Sequence, residues 1–92
     1  MIALAMITAC ASPSPEFAGA TQTRLVLDGV RVAVFQQGNR AQAIRLDYAR
    51  RIEQRAMPAR LVAAIEQVTG CTARPGRVQG DSGVITADLI CP

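Results

Sequence analysis

The stretch Thr23-Arg24-Leu25-Val26-Leu27-Asp28-Gly29-Val30-Arg31-Val32-Ala33-Val34-Phe35 is where the architecture of this chain becomes readable. Two runs of β-forming residues flank Asp28-Gly29. A type I′ turn needs positive φ at both central residues, and Asp-Gly supplies it. A two-residue loop pairs Leu27 with Val30 and Leu25 with Val32. These four side chains share one face, and Arg24, Val26, Arg31 and Ala33 share the other.

Working outward, Gln37-Gly38-Asn39 predicts the next reversal. A three-residue loop there pairs Val34 with Gln42, Val32 with Ile44 and Val30 with Leu46. Ile44 and Leu46 then join Leu25 and Leu27 on one apolar face. A two-residue loop of Gly38 and Asn39 would set Val32 against Arg45, so the apolar pattern selects the longer loop. A strand to about Asp47, then a loop or short helix to Met57, completes a three-stranded meander. Residues 41–56 also carry a helical reading. They are rich in Ala, Gln, Arg and Glu, with Ile44, Tyr48 and Ile52 at spacing four and Asn39 as a cap. The strand explains the register and the helix explains the propensity.

Residues 58–69 predict a helix. Pro58 suits its first turn. Leu61, Val62, Ala64, Ile65 and Val68 lie on one side, Arg60, Glu66 and Gln67 on the other, and Gly70 ends it. Arg74-Pro75-Gly76 reads as a turn, and Gly80-Asp81-Ser82-Gly83 as a second one. Residues 83–91 then alternate, with Ile85, Ala87, Leu89 and Cys91 facing inward. The expectation is an α+β domain over residues 21–92. It is a small antiparallel sheet, a three-stranded meander plus a C-terminal strand, covered by one main helix (about 58–69). A core this small buries only about 60% of the unfolded chain's surface and is marginal without a staple.

Near the start, Ile7-Thr8-Ala9-Cys10 closes an apolar run without charge, Gly or Pro. It resembles the lipobox of bacterial lipoprotein signal peptides. The resemblance implies cleavage before Cys10 and lipid on the Cys10 thiol, with residues 1–9 as signal peptide. The run is far shorter than the roughly 20 residues of a membrane-spanning helix. No Lys or Arg occurs before Arg24, whereas signal peptides begin with a positive region; a start upstream of Met1 would supply one. The alternative is a frayed apolar N-terminus with a chance Cys. Ala11-Ser12-Pro13-Ser14-Pro15 favours an extended spacer, so residues 10–20 are expected to be a flexible tether. In the bacterial sorting rule, Asp after the lipidated Cys retains a lipoprotein in the inner membrane. Ala11 thus implies the outer membrane, with the domain facing the periplasm.

With Cys10 assigned to lipid, Cys71 and Cys91 remain as an even pair. In an oxidising compartment a small domain gains from joining them, by roughly 3 kcal/mol for a loop of this length. Two reduced thiols in an intracellular protein are the alternative.

Composition narrows the chemistry. All ten basic residues are Arg against seven acids, a formal charge of +3, and the chain has neither His nor Trp. Lack of His removes the commonest general base and metal ligand. Two cysteines without His make a poor metal set, so no metal is expected. No Gly-rich loop with Lys cradles a phosphate, no Ser has a His to activate it, and the acids are scattered. No cofactor and no catalytic residue is expected. Asp28 and Asp81-Ser82-Gly83 read as turn residues. Arg40, Arg45, Arg50, Arg51, Arg55 and Arg60 form one basic segment, opposed by Asp47 and Glu53. It is either an ordinary solvated face or a surface for anionic headgroups. With Phe17, Phe35 and Tyr48 as the only aromatics, no base-stacking platform for nucleic acid is apparent.

Arg40-Ala41-Gln42-Ala43-Ile44-Arg45-Leu46, Ala64-Ile65-Glu66-Gln67-Val68-Thr69-Gly70-Cys71 and Thr86-Ala87-Asp88-Leu89-Ile90-Cys91 resemble segments of small uncharacterised lipoproteins of Gram-negative bacteria. The resemblance implies no activity and carries over no catalytic residue. The functional expectation is a lipid-anchored envelope module, non-enzymatic, with an envelope protein or component as partner. A small envelope enzyme and an intracellular protein are the alternatives.

Overall fold

Five strands and one helix account for most of residues 14–47 and 55–92, which the computed structural model describes. The strands are β1 (Thr21–Leu27), β2 (Val30–Gln37), β3 (Arg40–Arg45), β4 (Thr72–Gly80) and β5 (Val84–Ile90), and the helix is α1 (Met57–Thr69). The strand order is β1-β2-β3-β5-β4, antiparallel at each pairing. This is the expected α+β architecture, with the C-terminal strand inserted beside β3.

The first hairpin follows its turn residues. Asp28 lies at φ 51° and Gly29 at φ 81°, and Leu27 pairs with Val30 and Leu25 with Val32. Residues 40–45 form a strand and not a helix. It stops at Arg45, short of the expected Asp47, and residues 48–54 lie outside the described ones.

The β2–β3 register differs from expectation by one residue. The turn has two residues, not three, so Val32 pairs with Arg45, Ala33 with Ile44 and Phe35 with Gln42. Gly38 takes φ 61° while Asn39 keeps negative φ, the arrangement of a type II′ turn. Ile44 therefore lies opposite the face of Leu25 and Leu27. The expectation assumed one apolar face, but β2 is buried on both. Val32, Ala33, Val34 and Phe35 are all buried in succession, the pattern of a strand covered on two sides.

On one face, α1 lays Met57, Leu61, Ala64 and Ile65 over Val32, Val34, Ala41, Ala43, Ile85, Ala87 and Leu89. Val62 and Val68, expected to be inward, flank this core half-buried. The small side chains of Ala41, Ala43 and Ala87 leave room for the helix on the sheet. The inward set of β5 is the expected one.

On the other face, Phe17 packs with Ala33, Phe35 and Ile44, joined by Ala20 and Leu46. Phe17 is carried by a short 3-10 turn, Pro15–Phe17. The expected tether over residues 10–20 is thus corrected from Ser14 onward. Ser14 to Ala20 is a strap seated on the sheet, because Phe17 has an apolar site to fill. Among the described residues the folded unit includes Ser14 to Ala20 and does not start at residue 21.

Arg74-Pro75-Gly76 does not turn the chain. It lies inside β4, a fifth strand that the turn-forming residues concealed. Ala73 pairs with Leu89 and Val78 with Ala87, so residues 74–77 bulge out opposite Asp88 alone. Pro75 and the bulge break up this outer edge. The outer edge of β1 is regular. Its hairpin closes on the Leu27–Val30 pair, so by alternation the backbone groups of Gln22, Arg24 and Val26 point away from the sheet.

Cys71 follows the helix exit, and a disulfide joins it to Cys91 with Cα atoms 4.4 Å apart. Two hydrogen bonds steady the exit. Thr69 Oγ1 accepts from the Cys71 N–H at 3.1 Å, and Glu66 Oε2 accepts from the Ala73 N–H at 2.8 Å. The bond closes a loop of 20 residues' separation, so double replacement by Ala is expected to lower unfolding free energy by about 3 kcal/mol. Urea titration of wild type and variant, each with and without reductant, measures this; reductant should affect only the wild type. Phe17→Ala is expected to cost about 3–5 kcal/mol and to speed amide exchange over residues 14–20, read by hydrogen exchange.

Candidate binding face

The sheet face opposite α1 carries the polar chemistry of the molecule. Alternation sends Arg40, Gln42 and Ile44 of β3 to this face. Their pairing partners on β5, Asp88, Thr86 and Val84, go with them. The strap crosses the middle and covers Ala33, Phe35 and Ile44 with Phe17.

Gln42 is the one buried polar side chain among the described residues, at 2% exposure. Burial of an amide is costly unless its groups are paired. Here the Gln42 amide donates to Ser14 Oγ and to Thr86 Oγ1, each at 2.9 Å. Gln42 Oε1 accepts the Ser14 N–H at 2.9 Å. Gln42 thereby fastens the start of the strap to β3 and β5. No sequence pattern announces this role, because it depends on the two-residue turn that brings Gln42 to this face.

Arg40 is the centre of an ionic chain. It donates to Asp88 Oδ1 at 2.9 Å and pairs with Glu16 of the strap. Its guanidinium lies over the Phe17 ring, 5.8 Å from the centroid. Arg77, on the β4 bulge, donates to the other oxygen of Asp88 at 3.0 Å. Arg40, Arg77, Gln79, Thr86 and Asp88 line an open groove of about 390 Å³. A second, of about 330 Å³, continues it to Ser14, Glu16 and Gln42. At the opposite end of the sheet, Arg31 donates from Nε and Nη2 to Asp47 Oδ1, at 2.9 and 2.7 Å, and from its backbone N–H to Oδ2 at 3.0 Å.

These contacts set the protonation of the face. Hydrogen bonding to Arg77, and then to Arg40, holds the Asp88 carboxyl below its ordinary value. The side chain and then the backbone N–H of Arg31 do the same for Asp47. Arg40 is raised by its bonds to Asp88 and Glu16. In the turn before β5, the N–H groups of Gly83 and Val84 lower Asp81, which fits its expected role as a turn residue. The three carboxylates stay charged through the neutral range and suit fixed electrostatic contact.

Among the described residues the expected basic segment is divided between the two faces of the sheet. Arg40 sits on this face within its ion pairs. Arg60, on α1, pairs instead with Asp28 of the first hairpin turn at 3.5 Å. Arg45 shares the face of Val32, and its Nη1 is buried without a hydrogen-bond partner among the described residues. Arg55 is exposed before α1. Arg50 and Arg51 lie outside the described residues, as does Cys10. A strand places alternate residues on opposite faces and the helix moves the chain across the sheet, so proximity in sequence scatters in space. Among the described residues no three side chains of metal-ligating type converge.

No protein-family model matches this chain, and neither a curated protein nor a solved structure does.

The pH dependence follows from the lowered carboxyls. Their folded-state values lie below the ordinary value near 3.8, so the stabilisation they give is fully present above that value. It is lost as the pH falls through the lowered values. Melting temperature is expected to hold between pH 7 and 5 and to fall below about pH 4. In Asp88→Asn the acid-side slope should be shallower, which a thermal-melt series across pH would show.

Proposed function

We propose that this protein is a lipid-anchored envelope module that holds a small, disulfide-stapled binding domain directly at a membrane surface. The observation that carries the reading is the distance from the lipobox-like Ile7-Thr8-Ala9-Cys10 to the fold. Only three residues separate Cys10 from Ser14, and Ser14 is hydrogen-bonded to Gln42 on the sheet. Covalent geometry limits that span to about 14 Å. The anchor therefore works as a short leash and not as a long spacer. No helix among the described residues is long and apolar enough to cross a membrane, and in this reading the lipid on Cys10 supplies the attachment.

The Cys71–Cys91 bond supports the same reading, since disulfides persist in oxidising compartments. The binding role rests on the face built around Arg40, Asp88 and Gln42, which offers fixed charges and hydrogen-bonding groups beside the strap. By the sorting rule that Ala11 satisfies, the outer membrane is the destination.

Expression of the full chain in a Gram-negative host tests the anchor. The intact mass is expected to lack residues 1–9 and to include a diacylglycerol adduct. Cys10→Ser should abolish the adduct and release the protein from the membrane fraction. A wild-type mass that is unprocessed and unlipidated, with Cys71 and Cys91 both alkylated without reductant, would favour an intracellular protein instead.

A further inference from the structure

We infer that the sheet face opposite α1 docks flat on an anionic lipid bilayer, with Val26 and Ile90 at the headgroup boundary and Arg24 and Arg74 against lipid phosphates. This inference rests on the lipid-anchored reading above and names what the face meets.

Three observations carry it. The first is the distribution of exposed apolar side chains. Among the described residues the exposed large hydrophobics are Val26 (65%), Ile90 (47%), Val84 (37%) and Val78 (37%). The first three are on the same face. Val26 pairs with Arg31 beside Ala33 and Ile44, and Val84 and Ile90 alternate with Thr86 and Asp88. Val78, paired with Ala87, is the one of the four on the helix side, so three of the four exposed large hydrophobics among the described residues gather on this side.

The second is charge. The acids of the face, Glu16, Asp47 and Asp88, are each already matched by Arg40, Arg31 or Arg77. Arg24, beside Val26, and Arg74, beside Ile90, are in no ion pair among the described residues. Arg24, Val26, Arg31 and Leu46 line one hollow of about 230 Å³. Arg74, Pro75, Arg77, Ile90 and Asp88, the last held by Arg77, line another, of about 530 Å³. Each hollow thus sets an unmatched guanidinium beside apolar surface. That pairing fits a headgroup region, where phosphate lies next to the first acyl carbons.

The third is the anchor's direction. The strap lies over β2 and β3, between the two hollows, and its first residue bonds to Gln42 and receives the chain from Cys10. A leash of about 14 Å starting on this face brings this face, and not α1, toward the bilayer.

The absence of Trp from the chain allows a direct test. Single Trp residues are placed by Val26→Trp on the face and by Ala63→Trp on the exposed side of α1. The lipidated full-length proteins are reconstituted into vesicles of phosphatidylethanolamine and phosphatidylglycerol, and their lipidation is verified by intact mass. Val26→Trp is expected to show blue-shifted emission and quenching by brominated lipid, and Ala63→Trp neither. Arg24→Gln and Arg74→Gln, added to Val26→Trp, should each shift the docked equilibrium by roughly fivefold. Emission from Val26→Trp as water-exposed as from Ala63→Trp, in protein that is lipidated and vesicle-bound, overturns the docking and leaves the anchor standing. Equal signals in purely phosphatidylcholine vesicles overturn the role of the two arginines. An unlipidated mass overturns the anchor, and this inference with it.

Discussion

Gly38 at φ 61° lets β2 reverse into β3 over two residues, and that turn determines what both faces of the sheet must do. It sends Ile44 and Gln42 away from the helix and leaves Ala41 and Ala43 beneath it. The helix side then closes with small residues under Leu61 and Ile65. The other side acquires an apolar patch of Ala33, Phe35 and Ile44 that needs a cover. Phe17 supplies the cover, and Gln42 supplies the polar fastening for the strap that carries Phe17. One dihedral choice therefore determines the strap, the ionic chain through Glu16 and Arg40, and where Ser14 is fastened to the sheet.

Stability and placement are coupled through the same parts. A domain of this size has little core to spare, and it divides that core between two sides of one sheet. The disulfide closes the helix side by tying the exit of α1 to the end of β5. The strap closes the other side by burying Phe17. Exposed ion pairs such as Arg31–Asp47 add little each; their effect is to neutralise the acids of this face.

Much of this was legible in the residues. Asp28-Gly29 gave the first hairpin and its register, residues 58–69 gave the helix, and the alternation of 83–91 gave β5. These signals are local, and packing did not override them. Three features were not legible, each for a physical reason. The β2–β3 register depends on an apolar patch completed by Phe17, distant in sequence. β4 is masked because Pro75 and Gly76 signal a turn while the bulge at 74–77 absorbs them without ending the strand. The polar site around Gln42 and Arg40 is assembled from the strap, β3 and β5, so no contiguous motif records it. The basic segment was legible only as composition, and alternation along β3 puts its Arg40 and Arg45 on opposite faces.

The two outer edges of the sheet are unequal. On β4 the bulge and Pro75 interrupt the row of backbone groups, whereas on β1 the groups of Gln22, Arg24 and Val26 form a regular row. A sheet with two regular edges can add copies at both ends and grow without limit. This one has a single terminus competent for strand pairing. Pairing of two copies through β1 would bury the regular edge of each and leave only interrupted ones outside, so growth of the sheet would stop at two. That geometric inequality works as a chain terminator against fibrous assembly.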